Sequence, residues 1–315
     1  MSTQTASRRA NRRAERKRWA WPWMESIAAL LMLAGVLVFM YPSTAAWFSQ
    51  KEQSRVTGTA LESLGEGGQQ EEQEWDMALA QAQEYNQALN SGAVYRSNEN
   101  IAHGETGQRI AGYDYEQLLN TGGSGFMGRL LYERLEIDLP IYHGTSMETL
   151  ERGIGHLEGT SLPVGGADTR SVLTAHRGLP EATLFTHLND AEIGDTFTVS
   201  LLDQVLTYRV SEMLVIDPKE TQSILPVPGE DMITLVTCTP LGINSHRILV
   251  NAVRVAPTPI GDEIAAREAP HLPGFPWWMV ILGGVASLCC LFIWQAGRAL
   301  AAKRNKNSGA SGEAG

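Results

Sequence analysis

The sequence predicts a mainly β fold, either a barrel or a sandwich, preceded by a helical segment and placed between two apolar segments. Short runs rich in Val, Ile, Leu, Thr and Tyr follow one another between about residues 126 and 255, separated by glycine and proline turn signals. Many short strands at this spacing are typical of all-β domains. One short helical pattern interrupts them, and the 315 residues allow two domains of ordinary size.

The two apolar segments predict two transmembrane helices. Phe275 to Trp294 has 20 residues without a charge, enough for a helix to cross a hydrocarbon core about 30 Å thick. Near the N-terminus we predict a span over residues 24–41, retained as an anchor. The alternative is a cleaved signal peptide, because small residues follow at Ser43 to Ala45.

Charge is distributed unequally along the chain and predicts its topology. Net charge is −10; residues 1–23 hold seven Lys/Arg against one Glu, residues 298–315 hold four against one Glu, and −19 remains between them. Basic segments next to membrane spans stay in the cytoplasm, so we predict cytoplasmic tails over residues 1–23 and 295–315 and place the residues between the two spans outside the cell. The acidic middle argues against nucleic-acid binding, which requires cations.

Residues 42–125 are predicted to form an extracytoplasmic linker, a helix and a possible lid. Residues 51–75 are polar and typical of a linker or a weak helix. Glu74 to Leu89 contains strong helix formers, and Asn90 to Gly92 would end the helix. Residues 93–124 are irregular and rich in glycine, as lids often are, and the residues that could occupy a cleft there are Tyr95, Tyr113 and Tyr115.

Residues 126–256 carry the predicted strands, and residues 257–274 are a predicted linker to the second span. The strand-like runs are Arg129 to Tyr142, Ser171 to His176, Thr196 to Leu202, Gln204 to Ile216, Met232 to Thr239 and Arg247 to Val255. Thr145 to Glu148 fits a capping box, so a short helix should begin there and end at Gly153 or Gly155. Gly123 to Gly128 matches G-x-G-x-x-G, but it follows a loop and opens a strand, whereas a dinucleotide site needs the opposite order.

The three cysteines exclude a disulfide-rich scaffold and a Cys-rich zinc site. Cys289 and Cys290 lie inside the second span, where we interpret them as small apolar residues. Cys238 instead ends a strand-like run. His176 ends another such run, and Arg247 begins the run that follows Cys238, so the three could meet at one edge of a sheet.

Four segments around these residues resemble the sortase family, most of all its class C, pilus-assembling branch. They are LPIYHGTS (139–146), GIGHLEGTSLPVGG (153–166), SVLTAHRGLP (171–180) and TLVTCTPLGINSHRILV (234–250). The Thr-Leu-Val-Thr-Cys motif (234–238) with an upstream His and a downstream Arg is highly specific, and a second membrane span is also similar to class C. The resemblance implies a closed eight-stranded β-barrel with short helices, acting outside the cell on LPxTG-like sorting signals.

The resemblance also implies three catalytic roles. Cys238 would be the nucleophile, His176 the general acid and base, and Arg247 the group that stabilises substrate or oxyanion. These types suit the chemistry, because the thiolate attacks, an imidazole exchanges protons near neutral pH and a guanidinium never loses its charge. The acceptor would be a pilin lysine. The alternatives are a housekeeping enzyme that attaches proteins to a cell-wall amine, and an inactive two-span binding scaffold.

Two features depart from the family pattern. Class C sortases usually have a lid with an Asp-Pro-aromatic motif, but residues 90–125 lack Asp-Pro, which occurs only at Asp217-Pro218, and Glu133 stands where a proline is frequent in the first barrel strand. We expect structural or solvent-exposed roles for His143, His156 and His187, which we place in loops or at helix ends. His246 should point to the face opposite Arg247, because neighbours in a strand alternate. No cofactor and no metal site are expected.

Overall fold

The computed structural model describes residues 19–66, 69–90, 93–94, 103–104, 113–120 and 123–310. Predictions that concern the basic residues Arg8 to Arg18 and Tyr95 lie outside these ranges. The chain forms two compact units, Met1–Thr44 with Phe275–Gly315, and Ala45–Gly274.

The elements follow in this order along the chain. They are α1 Trp23–Glu66, α2 Gln69–Asn90, β1 Ala93–Val94, β2 His103–Gly104, β3 Phe126–Tyr132, β4 Ile137–His143, α3 Met147–Arg152, β5 Ile154–His156, β6 Thr169–Thr174, β7 Thr196–Leu201, β8 Gln204–Ile216, β9 Asp231–Thr239, β10 His246–Val255, α4 Ile260–Arg267 and α5 Trp277–Ala310.

Eight of the strands close into a barrel, which confirms the predicted fold class. Their order around the barrel is β10-β8-β7-β3-β4-β5-β6-β9, and β9 pairs with β10 to close it. Two pairs are parallel, β4 with β5 and β6 with β9. The second parallel pair matters for function, because it brings the ends of β6 and β9 together on one rim.

Alternation along the strands separates an inner from an outer face. In β9, Ile233 and Leu235 are fully buried inside the barrel, with Leu173 of β6 and Val250 of β10 beside them. Tyr132, Phe197 and Tyr208 add a stacked aromatic column, with ring centroids 5.6 and 6.0 Å apart. Residues at the intervening positions, including Cys238, therefore face outwards.

The helical segment before the barrel is more extensive than predicted. The 51–75 linker is helical up to Glu66, and a second helix starts at Gln69. Tertiary contacts explain the difference, since Thr57 is buried and the Ser54 hydroxyl donates to the His271 carbonyl at 2.7 Å. The second helix buries its apolar face, namely Leu79, Ala82, Tyr85 and Leu89.

Three other local predictions need correction. The run Arg129 to Tyr142 is two strands of a hairpin, with Glu136 turning the chain in a left-handed conformation (φ 53°). The predicted linker 257–274 contains α4, which is held because the buried Arg129 guanidinium donates to the carbonyls of Ala266 and Glu268. His156 lies in strand β5 rather than in a loop. The Gly123–Gly128 segment leads directly into β3, as expected, so no helix follows it.

The other unit contains the two apolar segments. The helices over Trp23–Ser63 and Trp277–Lys303 are long and apolar enough, by length and composition, to cross a membrane, and each contains an 18-residue window with mean hydropathy 2.0. They contact each other, as the Cys289 thiol lies 3.7 Å from the Ala29 carbonyl oxygen. This is the membrane association that the composition predicts.

Candidate active site

Strand register pairs Cys238 with Arg247 and brings the end of β6, which leads to His176, next to β9. In the antiparallel β9–β10 pair, Cys238 is the partner of Arg247. In the parallel β6–β9 pair, the last partners are Thr174 and Val236, and Ala175 continues the ladder by donating its N–H to the Val236 carbonyl at 3.2 Å. Extending this offset two residues beyond the end of β6 leads to His176 opposite Cys238, where adjacent strands would be about 5 Å apart.

These three residues share the outer face at one rim of the barrel. Directly paired residues on neighbouring strands point to the same side of a sheet, so the thiol and the guanidinium lie together. His246 pairs with Thr239 instead and therefore points to the other face, away from Arg247. We call His176, Cys238 and Arg247 the catalytic row.

The thiol and the imidazole of the catalytic row are only partly covered. Cys238 and His176 are both half-buried. Burial lowers the pKa of His176, because it disfavours the charged ring, and the nearby Glu151 carboxylate opposes this in part. The imidazole is accordingly neutral at pH 7, the form that accepts a proton from a thiol or an amine.

Within the part of the chain that the structure describes, the His176 ring has no hydrogen-bond partner. Its Nε2 is buried without a partner among the described residues. A buried polar atom without a partner is costly, and at a cleft it marks a position where a bound molecule can complete the hydrogen bond. Because β6 and β9 are neighbouring strands, this atom is a candidate base for the Cys238 thiol.

Arg247 keeps part of its guanidinium available. Its Nη1 donates to the carbonyls of Asn244 and His246, both at 3.0 Å. Within the described ranges, Nε and Nη2 have no partner, although a guanidinium has five N–H donors. The turn after β9 thus orients the group through Nη1, and Nε and Nη2 remain available to a ligand.

A second row of residues lies on the same outer face, immediately below the catalytic row. Val236 pairs with Thr174 on one side and with Leu249 on the other, and Leu249 pairs with Leu214. Leu249 is 1% exposed, while Thr174, Val236 and Leu214 are half-buried. The row offers a largely apolar surface beside the thiol, and sequence analysis did not single it out.

A buried polar network closes the far side of that surface. The Arg170 guanidinium, 4% exposed, donates to the Thr234 hydroxyl at 2.9 Å and to the Leu225 carbonyl at 2.8 Å. Thr234 donates in turn to the Asn251 side-chain oxygen at 2.9 Å. The network holds the segment between β8 and β9 against the outer face. A buried cation has no sequence signal that separates it from the exposed arginines, so it was missed.

The other predicted histidines lie elsewhere. His156 is fully buried and accepts from the Tyr115 hydroxyl at 2.9 Å through Nδ1, while Nε2 donates to the Ser161 carbonyl at 2.9 Å. His143 is buried between the carbonyls of Gly125 and Leu118, and His187 is exposed. These are structural or solvent-exposed positions.

Two of the three tyrosines that could cover a cleft pack against the helix and the barrel instead. Tyr113 makes an edge contact with Tyr85 at 5.9 Å, and Tyr115 is buried between His143 and His156. Leu118 and Leu119 of the same segment are also buried. The packing interpretation of Tyr113 and Tyr115 is therefore favoured over a lid role.

Comparison with known proteins identifies the fold family. A family model described as "Sortase domain" matches residues 130–255. Two curated relatives match: Sortase A of Streptococcus agalactiae serotype III, 30% identical over 40% of this chain and 51% of its own length, and Sortase D of Bacillus subtilis, 28% identical over 41% and 63%. The chain thus spans between half and two thirds of the length of these relatives.

Solved structures match over nearly their whole length. Sortase C-1 of Actinomyces oris is 43% identical, covers 58% of this chain and 98% of its own, and has a TM-score of 0.51. Sortase C1 of Streptococcus agalactiae is 36% identical over 65% and 100%, with a TM-score of 0.56. Sortase C of Streptococcus pneumoniae, whose title refers to pilin substrate specificity, is 35% identical over 65% and 100%, with a TM-score of 0.55.

Proposed function

This chain belongs to the sortase family, and from that premise we propose that it is a membrane-anchored class C transpeptidase acting outside the cell. It cleaves an LPxTG-like sorting signal between Thr and Gly and joins the new carboxyl end to an amine, most favourably a lysine of a pilin subunit. The observation that carries this proposal is the register, which pairs Arg247 with Cys238 and sets β6, the strand leading to His176, beside β9. The class C neighbours support the pilin acceptor.

The first half-reaction forms a thioester. The Cys238 sulfur attacks the Thr–Gly carbonyl carbon, and the thiol proton passes to His176. The available N–H groups of Arg247 hold the developing oxyanion, where a fixed donor acts strongly because it needs no reorganisation. The C–N bond then breaks, and His176 returns the proton to the departing glycine amine.

The second half-reaction transfers the acyl group. The acceptor amine attacks the thioester carbon, and the neutral His176 ring takes the proton that the amine loses. The C–S bond breaks, and Cys238 regains its proton from His176. Burial of the imidazole favours this step, since the lowered pKa of His176 keeps the ring unprotonated at pH 7.

The second row supplies a place for the apolar residues of a sorting signal. An extended peptide whose scissile carbonyl reaches Cys238 lies along Val236, Leu249 and Leu214, where apolar side chains leave water. The segment held by Arg170 through Leu225 bounds this surface. Exclusion of water there also favours attack by an amine over hydrolysis.

Mass-spectrometric trapping of the acyl-enzyme tests the proposal. Purified full-length protein is incubated with a panel of LPxTG-like peptides, and the mass added to the peptide containing Cys238 is measured, with Cys238→Ala as control. We expect an adduct equal to the sorting peptide cleaved after Thr. Absence of any adduct, or an adduct that persists in Cys238→Ala, would contradict the assignment.

The acceptor is identified in the same reaction. A pilin-derived lysine peptide and a cell-wall peptide amine are offered in equal amounts to the acyl-enzyme. Preferential formation of an isopeptide to lysine supports pilus assembly. Preference for the cell-wall amine would support the housekeeping alternative.

The proposed topology has both termini in the cytoplasm and the barrel outside. A membrane-impermeant thiol reagent applied to intact cells should label Cys238 and leave Cys238→Ala unlabelled, because Cys289 and Cys290 lie in the second apolar helix. Labelling of Cys238 only after the cells are opened would reverse the proposed orientation.

A further inference from the structure

The main-chain ladder between β6 and β9 stops just before the catalytic pair. Its last hydrogen bond runs from the Ala175 N–H to the Val236 carbonyl. In the described part of the chain no backbone bond joins residues 176–177 to residues 237–239. The two strands that carry His176 and Cys238 are therefore not held together by their own main chains at that level.

Beyond this point, hydrogen bonds from side chains join the two strands. The Thr237 hydroxyl donates to the Ala175 carbonyl at 2.8 Å, on the near side of the pair. On the far side, Arg177 Nη1 donates to the Thr239 hydroxyl at 3.3 Å. The residue after the histidine is thus tied to the residue after the cysteine.

Arg177 connects three parts of the rim. Besides Thr239, its Nε donates to the Thr186 carbonyl at 3.2 Å and its Nη2 to the Asn189 side-chain oxygen at 2.9 Å. A planar guanidinium presents these donors in one fixed fork. The end of β6, the end of β9 and the segment 178–190 are consequently fastened to a single rigid group.

The guanidinium does not itself reach the reacting atoms. Neighbouring residues of a strand point to opposite faces, so the Thr239 side chain faces away from the Cys238 thiol. The Arg177 guanidinium binds the Thr239 hydroxyl and therefore lies on that opposite face. Any effect on the reaction passes through the backbone of residues 176 and 238.

The His176 ring needs such support. Neither of its nitrogens has a hydrogen-bond partner among the described residues, and Nε2 is buried. Many nucleophile–base pairs orient the base with a third group. Here the position of the ring depends on the backbone that carries it, and a displacement near 1 Å is enough to cost about 10²-fold in rate.

We propose that Arg177 is a positioning residue, which sets the separation of the His176 imidazole and the Cys238 thiol by tying their neighbours together through Thr239. This inference rests on the proposed function for the roles of the two groups. It predicts that loss of the Arg177–Thr239 link alters proton exchange between thiol and imidazole more than substrate binding.

The test compares Arg177→Gln with Arg134→Gln in the full-length protein. Arg134 is a matched control. Like Arg177 it binds the segment 178–190, here through the Asp190 carbonyl, and it also binds the Asp195 carboxylate. Among the described residues it has no bond to β9. We expect Arg177→Gln to lower kcat for acyl-enzyme formation about 10-fold or more with KM within about twofold. Arg134→Gln should leave both constants unchanged.

A second readout reports the thiol directly and requires no sorting signal. The rate of Cys238 alkylation by iodoacetamide is measured against pH, with the modified peptide identified by mass. We expect the profile of Arg177→Gln to move towards that of His176→Ala, while Arg134→Gln follows the unmodified protein. Because this readout is independent of substrate, failure to form an acyl-enzyme with any peptide would overturn the proposed function and still leave Arg177 testable.

Thr239→Val keeps the test decisive if Arg177→Gln is poorly folded. Thr239→Val removes the hydroxyl and should show both effects, whereas Thr239→Ser keeps the hydroxyl and should show neither. The double variant Arg177→Gln/Thr239→Val should be no worse than either single variant, as expected for two ends of one link. An alkylation profile in Thr239→Val and Arg177→Gln equal to that of the unmodified protein would overturn the proposal. So would the same change in Arg134→Gln.

Discussion

His156 and His176 are two histidines at strand ends of one barrel, and their surroundings differ in every respect that matters for chemistry. His156 is fully buried, with Tyr115 donating to one nitrogen and Ser161 accepting from the other. Burial lowers its pKa from the ordinary 6.5 to about 4. His176 is half-buried, and its Nε2 has no partner among the described residues.

The difference teaches that hydrogen-bond satisfaction, rather than residue type, separates a structural from a reactive histidine here. A ring with two partners holds one tautomer and has no free site for a substrate proton. A ring with an unpartnered nitrogen, such as that of His176, keeps a site at which it can exchange a proton with a ligand. Four experiments test this difference between His156 and His176.

The largest effect is expected from replacing each histidine in turn. His176→Ala should lower the rate of acyl-enzyme formation by about 10²–10⁴-fold, because it removes the general acid and base. His156→Gln, whose amide can both accept from Tyr115 and donate to Ser161, should retain most activity. Single-turnover kinetics with a sorting peptide measure the rate of acyl-enzyme formation in both variants. A larger loss in His156→Gln than in His176→Ala would contradict the distinction between a structural and a reactive histidine.

Two arginines differ in the same way as the two histidines, since Arg247 has donors without a partner among the described residues and Arg129 is bonded through all three of its nitrogens. Arg247→Lys should lose about 10²-fold in acyl-enzyme formation, since one ammonium cannot replace the guanidinium fork at the oxyanion. Arg129→Lys affects a fully paired guanidinium, bonded to Asp138 and to two carbonyls, and should lower the unfolding midpoint instead. Near-normal turnover of Arg247→Lys would refute its role.

Acid stability distinguishes the buried ring. Because its folded pKa of about 4 lies below the ordinary 6.5, the unfolded state binds the proton first as the pH falls. Stability is complete above about pH 6.5 and is lost as the pH falls towards 4, by about 3 kcal/mol for this group. His156→Gln should show a shallower loss across that interval in denaturant titrations of the detergent-solubilised protein; identical slopes would contradict the assignment.

The smallest effect concerns Glu151. Its carboxylate partly opposes the burial that lowers the pKa of His176. Glu151→Gln should therefore move the acid limb of the rate profile to lower pH. The carboxylate is exposed, so the movement should shrink in about 1 M salt, where the Debye length is about 3 Å. An unchanged acid limb at low salt would argue against this coupling.

Much of the fold could be predicted from the sequence because its signals are local. Length and hydropathy indicated the two apolar helices, and strand-like runs with turn signals indicated the barrel. The errors occurred where tertiary contacts decide. Helix α4 in the predicted linker depends on Arg129 from a distant strand, and the continuation of α1 through polar sequence depends on contacts such as Ser54 with His271.

The sequence by itself determined which chemical groups are available, namely one cysteine outside the apolar segments and a histidine and an arginine at strand ends. Only the tertiary structure decided that Arg247 pairs with Cys238 and that β6, which leads to His176, runs beside β9. His176 and Cys238 are 62 residues apart, as are the Ala175 and Thr237 that tie their strands together. Local periodicity specifies which side of a strand a residue faces, whereas the register between distant strands is set by burying the side chains of all eight strands around one core. The same packing buried His156 among partners and left His176 without one.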